Sequence, residues 1–167
     1  SMDFMSDSMV GNRKFRTLNV MDDCSREVLA IEVDTSRSSR RVIRTLDRII
    51  EQRGKPVSIR TDNGPEFTSK DLELWSLDKR INLQFIQPGK PMQNGYIERF
   101  NRLYREAILD AYLFFDLNEV RVLTEQWIEE YNTKRPHESL GNKTPYECKM
   151  NLIKKSSFAV LATMAIG

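Results

Sequence analysis

The sequence has few cysteines and histidines and no long apolar run. Of its 167 residues, two are cysteines and one is a histidine. Cys24 and Cys148 lie too far apart to form a disulfide framework or a zinc signature. They fit a reducing compartment, and we expect a cytoplasmic protein. No segment approaches the roughly 20 consecutive apolar residues of a membrane-spanning helix.

An excess of charge of one sign is also missing. The 26 Lys and Arg residues nearly balance the 24 Asp and Glu residues, which leaves a net charge of +2. Charge alone therefore does not indicate a nucleic-acid protein, and any basic surface must be local. The length corresponds to one ordinary domain, and a hydrophobic content of 40% is enough for a core.

The apolar pattern predicts a domain of the α/β class. Aliphatic runs predict strands at 15–21, 28–33, 57–61 and 82–86, with a weaker strand within 1–10. Apolar residues at helical spacing predict four helices, which begin after the serines before Val42, at Thr68 or Ser69, at Asn94–Gly95 and after Asn118. Strands that alternate with helices after an antiparallel hairpin predict a mixed sheet covered by helices.

Asp62 follows a predicted strand in the segment TDNGPEF. An ordinary turn explains this pattern, because Asn-Gly and Gly-Pro are turn formers and Asp is common beside them. On the local pattern alone the turn is the favoured explanation, and a binding site is the alternative, because ligands of open α/β sheets lie at the ends of strands.

Glu98 lies in the first turn of a predicted helix, in the segment NGYIERFN. Arg102 and Arg105 follow four and seven residues later and share its face. An ordinary Glu–Arg pair explains this spacing. The alternative is a carboxylate at the edge of a cleft, where a metal ion would lie beside an anionic backbone.

A third acid is needed if these carboxylates hold metal ions. The candidates are Asp3, Asp7, Asp22 and Asp23, and the local sequence favours Asp3 only narrowly. Mg²⁺ takes oxygen ligands and needs one or two carboxylates per ion. Two such ions can hold the attacking and leaving oxygens of a phosphoryl transfer. Without a cation, three clustered acids would repel one another.

Four segments together carry a resemblance to a known family. SMDF, TDNGPEF, NGYIERFN and YNTKRPHESL followed by TP resemble the catalytic core of DDE-type insertion-sequence transposases of the OrfB type, with a retroviral-integrase-like core. The resemblance implies a ribonuclease-H-like fold with a five-stranded mixed sheet flanked by helices. It implies Asp3, Asp62 and Glu98 as the catalytic, metal-binding residues, and two Mg²⁺ or Mn²⁺ ions when DNA is bound. The implied reaction is cleavage at DNA 3′ ends followed by strand transfer.

The implied partners are double-stranded DNA, as transposon ends and target, and further copies of the chain when DNA is bound. The implied setting is the nucleoid of a bacterium. The residues expected to contact DNA are Lys90, Gln93, Asn94, Arg99, Arg102 and Arg105. Solvated side chains, or a helix cap in the case of Asn94, are the plainer alternatives. His137 is not required by two-metal chemistry, so we expect a structural or DNA-contacting role for it.

We expect residues 1–147 to form the catalytic core. Residues 148–167 form a basic and then apolar tail that packs, self-associates or is poorly ordered. The short segment before Asp3 suggests an excised core without an upstream DNA-binding region, and Ser1-Met2 resembles a tag remnant. Two other functions stay open: a ribonuclease-H-like nuclease without strand transfer, and an inactive DNA-binding or assembly module.

Overall fold

The computed structural model describes residues 1–36 and 38–164, with the side chains of Pro91 and of 156–164 left undescribed. The strands are β1 (Met2–Ser8), β2 (Lys14–Met21), β3 (Val28–Asp34), β4 (Ser58–Thr61) and β5 (Asn82–Phe85). The helices are α1 (Ser39–Arg53), α2 (Lys70–Lys79), α3 (Gly95–Tyr104), α4 (Leu117–Thr133) and α5 (Pro145–Met164). None of these helices is long and apolar enough to cross a membrane.

The five strands form two hydrogen-bonded sheets. β1, β2 and β3 form an antiparallel sheet in which Asp3 pairs with Asn19, and β4 and β5 form a parallel pair. The expected single five-stranded mixed sheet is therefore not confirmed. β1 and β4 contact each other, but the described strands show no hydrogen-bonded ladder between them. Each strand of the parallel pair has only four residues, which leaves little edge for such a ladder.

Two apolar cores lie around these strands. One core joins the antiparallel sheet to α3 and α4 through Phe100, Tyr104 and Tyr131. The other joins β1, β2 and β4 to α1 and α2 through Val42, Leu72 and neighbouring residues. Helices therefore cover both sides of the strands, as the alternating pattern predicts. The first turn of α3 stays exposed at Tyr96 and Glu98.

Local sequence explains most of the helix boundaries. The Ser69 hydroxyl accepts a hydrogen bond from the Leu72 N–H and caps α2, as one of the two predicted caps. Gly54 ends α1 with a φ of 86°, a conformation that favours glycine. α4 begins at Leu117, slightly before the predicted start after Asn118. The Asp116 side chain caps this helix by accepting hydrogen bonds from the N–H groups of Asn118 and Glu119.

Two helical features differ from the prediction. The long helix predicted to reach Ala111 becomes a π-helical turn at Arg105–Leu109. α5 was not predicted, and it crosses the expected boundary between the core and the tail at 147 and 148. The apolar run 158–166 is helical as far as Met164. Its side chains and residues 165–166 lie outside the described part, so its packing stays a prediction.

Candidate active site

Asp3, the first acid of the candidate site, lies half-buried on β1. Its Oδ1 accepts a hydrogen bond of 2.7 Å from the Phe4 N–H, and its Oδ2 accepts one of 2.8 Å from the Asn101 side chain. Burial, together with the negative charges of Asp62 and Glu98, raises the pKa of Asp3 to about 6, although the hydrogen bonds from Phe4 and Asn101 oppose the rise. The three acids named from the sequence are therefore close enough to interact electrostatically.

Asp62 is held at the end of β4 by the turn that follows it. Its Oδ1 accepts a hydrogen bond of 3.0 Å from the Gly64 N–H. A β-carbon at position 64 would lie 3.1 Å from that same oxygen, closer than side chains normally approach. Glycine at this position therefore lets the turn close tightly against the carboxylate. Asp62 is half-buried and follows directly after a strand that is buried at Thr61.

Glu98 extends into solvent from the first turn of α3. The helix buries Ile97, Phe100 and Tyr104, which leaves Glu98 at the border of the core. This is the placement that the helical spacing predicts. Glu98 lies about one turn before Asn101, whose side chain donates a hydrogen bond to Asp3. The helix face that carries Glu98 is therefore the face that contacts Asp3.

Asn101 is a site residue that the motif analysis missed. It is 8% exposed, and its side chain joins three elements. Its Oδ1 accepts a hydrogen bond of 2.7 Å from the Asn19 amide on β2, while its Nδ2 donates to Asp3 on β1. A buried asparagine at i+3 from Glu98 was the available signal. The sequence alone does not say that its partner lies 98 residues away.

The donor set suits a hard divalent cation. Carboxylate oxygens are the ligands that Mg²⁺ and Mn²⁺ prefer, and the half-buried Asp3 carboxylate has no cationic side chain among its hydrogen-bond partners. In the described part of the chain, no three Asp, Glu, His or Cys side chains are grouped closely enough to hold one ion together. Mg²⁺ is commonly held by one or two carboxylates, with water and substrate phosphate completing the shell.

The other candidate acids have structural partners. Asp22 accepts hydrogen bonds from the Cys24 N–H and the Ser25 hydroxyl in the β2–β3 turn. Asp23 pairs with the N-terminal amine and with Arg60. Asp7 lies 3.6 Å from Arg105. These contacts explain the three acids without a catalytic role.

The residues expected to contact DNA fall into different surroundings. Lys90, Gln93, Arg99 and Arg102 are exposed. Gln93 accepts a hydrogen bond from the Gln87 N–H, and this bond braces the loop before α3. Asn94 is 3% exposed and precedes α3 without a side-chain capping bond. Its burial favours a local structural role over contact with DNA.

Arg105 is already engaged by the protein. It donates a hydrogen bond to the Ser6 carbonyl, and it lies 3.5–3.6 Å from the carboxylates of Asp7 and Asp110. Arg102 shares the Glu98 face and is exposed. Of the two arginines on this face, Arg102 is thus the freer to reach a phosphate.

The sequence matches two family profiles, both described as integrase core domain, over residues 1–91 and 79–145. The first profile covers more than half of the chain. The chain belongs to the integrase core domain family. The three acids named from the sequence lie within these matched ranges.

Two of the curated relatives of this integrase core are proteins of bacterial insertion elements. The chain is 41% identical, over 88% of its length, to an uncharacterized 31.7 kDa protein of insertion element IS407 from Burkholderia multivorans. It is 40% identical, over 90% of its length, to an uncharacterized 39.2 kDa protein of insertion element IS476 from Xanthomonas euvesicatoria. It spans 53% and 44% of those two proteins, or about half of their length.

Solved structures place the fold of this integrase core in the ribonuclease-H-like α/β class. The catalytic core domain of HTLV-2 integrase, in a trimeric form in complex with magnesium, matches with a TM-score of 0.69 at 20% identity. The match covers 88% of this chain and 92% of that one. The predicted fold class is therefore confirmed, while the single five-stranded sheet is not.

Proposed function

We propose that this chain is the catalytic core of an insertion-element transposase, a DDE-type polynucleotidyl transferase that cleaves DNA at 3′ ends and joins them to a target. The observation that carries the proposal is the electrostatic coupling of Asp3 to Asp62 and Glu98. Membership of the integrase core family and the insertion-element relatives support it. The proposed partners are double-stranded DNA, as element ends and target, and further copies of the chain.

Asp3, Asp62 and Glu98 would hold two Mg²⁺ or Mn²⁺ ions, together with water and substrate phosphate. The HTLV-2 integrase core that shares this fold is described in complex with magnesium. When bound, the ions would activate the attacking oxygen and stabilise the leaving oxygen of an in-line phosphoryl transfer. The protein's own contribution would be to bring three carboxylates within electrostatic range of one another, an arrangement that is costly without a cation.

The surrounding residues keep the acids in position. The Asn101 amide fixes the Asp3 carboxylate, and the Gly64 N–H fixes that of Asp62. Asp3 must lose its proton before it can act as a ligand, and its raised pKa makes that loss incomplete near pH 6. Arg102, on the Glu98 face of α3, would hold the DNA backbone beside the acids. The setting that fits the bacterial relatives is the cytoplasm, at the nucleoid.

The test is metal-dependent activity of charge-removing variants. We expect Asp62→Asn and Glu98→Gln to remain folded and to lose Mn²⁺-dependent nicking of a supercoiled plasmid, because each removes a ligand charge without changing shape. Asp78→Asn, in an exposed part of α2, is the matched control and should keep activity. Unchanged nicking in either active-site variant would contradict the assignment of the acids.

A second assay separates a transposase core from a simple nuclease. A labelled duplex with a free 3′-hydroxyl is incubated with the plasmid, the protein and Mn²⁺. Labelled plasmid identifies strand transfer, because hydrolysis alone cannot attach the label. Nicked but unlabelled plasmid would favour the ribonuclease-H-like nuclease. A protein that binds DNA without either product would be an inactive binding or assembly module.

A further inference from the structure

Three arginines from separate segments gather around His137, on a different side of α3 from the acids. Arg26 lies in the β2–β3 turn, Arg99 in the first turns of α3, and Arg135 just after α4. Each is close enough to His137 to lower its pKa, after burial, which has the largest effect. The same three arginines act on Tyr131. Successive helix positions differ by about 100°, so Arg99 points to a different face from Glu98. It lies nearly opposite Asn101, which contacts Asp3.

This arginine cluster, Arg26, Arg99 and Arg135, is not neutralised by the protein. Within the ranges that the structure describes, no carboxylate lies within the 4.0 Å ion-pair distance of any of the three guanidinium groups. Three uncompensated cations are unfavourable at close range unless an anion joins them. The cluster therefore has the charge of an anion site.

Two buried polar atoms, one in the arginine cluster and one in the neighbouring His137, have no hydrogen-bond partner among the described residues. They are Nη1 of Arg26 and Nε2 of His137. Buried polar atoms are normally paired, because leaving one unpaired costs about 1–3 kcal/mol. Both atoms lie in groups that bind phosphate oxygens well. The two unpaired atoms are a second observation that favours binding of an anion.

The backbone holds Arg26 in place at a conformational cost. Arg26 has a φ of 60°, which non-glycine residues rarely adopt. Its guanidinium carbon lies 3.4 Å from the centre of the Tyr96 ring, in the first turn of α3. Backbone strain of this kind commonly persists where a side chain has a functional position.

The segment YNTKRPHESL supplies the rest of the cluster. Asn132 clamps the start of β3, because its side chain accepts from the Val28 N–H at 2.9 Å and donates to the Val28 carbonyl at 3.0 Å. This clamp brings the end of α4 beside the turn that carries Arg26. His137 packs edge-on against Tyr131, with ring centres 5.0 Å apart. In this segment, Asn132 therefore has a structural role, while Arg135 is an exposed cation.

An open cleft adjoins the cluster. Tyr96 and Arg99 line a cavity of about 720 Å³, together with Phe85 from the end of β5 and Arg60 from β4. Phe85 and Tyr96 are both well exposed. Guanidinium groups beside exposed aromatic rings suit a nucleic-acid strand, whose phosphates pair with arginine and whose bases or sugars contact the rings.

We propose that Arg26, Arg99 and Arg135 bind a backbone phosphate of DNA beside His137, as a second anchor on the side of α3 away from the acids. This inference rests on the proposed function, because it takes DNA as the substrate. The anchor would hold the duplex across the first turns of α3. The acids would then meet the DNA from one side of the helix while the cluster fixes its position from the other.

The single histidine makes the test direct. Protein labelled with ¹³C only at histidine gives one imidazole Cε1–H signal, that of His137. We expect this signal to move when a short DNA duplex is added in EDTA, and to stay unmoved in Arg135→Gln. Arg44→Gln, an exposed arginine on α1, is the matched control and should behave like the wild type. Inorganic phosphate alone is titrated in parallel.

DNA affinity gives the second measurement. Fluorescence anisotropy over a range of KCl concentrations should show a salt slope smaller by about one in Arg99→Gln and Arg135→Gln than in Arg44→Gln, because one phosphate contact is lost. Circular dichroism confirms that each variant is folded. Equal slopes in all three variants would overturn the proposal, as would a signal that moves with phosphate but not with DNA.

The two proposals fail in different ways. If the wild type binds DNA while the His137 signal does not move, the second anchor is overturned and the proposed function stands. If Asp62→Asn retains nicking while the His137 signal moves with DNA, the acid assignment fails and the anchor stands. Working in EDTA keeps the anchor's test independent of metal binding by the acids.

Discussion

Asn101 joins the first acid to the sheet and to the helix that carries Glu98. Its amide donates to Asp3 and its carbonyl accepts from Asn19, so the three side chains form one buried hydrogen-bonded chain. Asn19 also donates to the Met5 sulfur at 3.1 Å. The arrangement makes Asn101 a positioning residue, since it contacts a proposed metal ligand and not the reacting atoms.

We predict that Asn101→Ala destabilises the protein by about 1–3 kcal/mol, because it leaves the Asn19 amide without its oxygen partner in a buried place. Chemical denaturation measures this loss. The same variant should need more Mn²⁺ for half-maximal nicking, because the Asp3 carboxylate is no longer fixed. Asn118→Ala, on the exposed side of α4, is the control. A lowered stability with an unchanged Mn²⁺ requirement would make Asn101 purely structural.

At the scale of elements, one buried acid, Glu27, forms an ion pair with α5. Glu27 is 5% exposed and lies 2.7 Å from Arg53 at the end of α1 and 3.1 Å from Lys149 on α5. Burial raises the pKa of Glu27, while Arg53 opposes that rise. Glu27 therefore links the β2–β3 turn to two helices that are distant in sequence.

We predict that Glu27→Gln loosens the first turns of α5, because Lys149 loses its charged partner inside the protein. Hydrogen exchange followed by mass spectrometry should show faster exchange in peptides that contain residues 146–152, with the strands of the antiparallel sheet unchanged. Glu51→Gln, exposed on α1, is the control with the same change of charge. Equal protection of α5 in both variants would show that α5 is held by its other contacts.

The sequence predicted the elements whose pattern is local. The helical spacing at Val42 and Ile97 and the aliphatic strands were confirmed, because one buried face imposes a period that can be read directly. α5 was not predicted, although the segment TPYE contains a capping-box signal for its start. Thr144 and Glu147 exchange side-chain to backbone hydrogen bonds across this start, in the capping-box pattern.

The candidate site was only partly predictable. The strand end at Asp62 and the helix start at Glu98 follow from local pattern, but the choice of Asp3 among four acids came from the resemblance to transposases. Asn101 and Arg26 act through partners distant along the chain, on other segments. Such contacts depend on how strands and helices pack together, which periodicity does not specify.

For the whole molecule, the burial of Asp3 near Asp62 and Glu98 has a free-energy cost that depends on pH. The pKa of Asp3 is about 6 in the folded protein, against 3.8 for the free side chain. Between these values the folded state holds a proton that the unfolded state has lost. The contribution of Asp3 to the free energy of unfolding is therefore fully present below about pH 4 and is lost as pH rises through about 6.

We predict that in EDTA this loss amounts to about 3 kcal/mol at most, from a shift of about two pKa units. Denaturation curves at a series of pH values should show a smaller decline in Asp3→Asn than in the wild type, since the amide does not titrate. Asp78→Asn should follow the wild type. Adding Mg²⁺ at neutral pH should restore stability to the wild type and not to Asp3→Asn, because a bound cation would replace the proton as the counter-charge. A wild-type pH profile identical to that of Asp3→Asn would show that Asp3 carries no such cost. It would also contradict the proposal that Asp3, Asp62 and Glu98 bind a metal ion together.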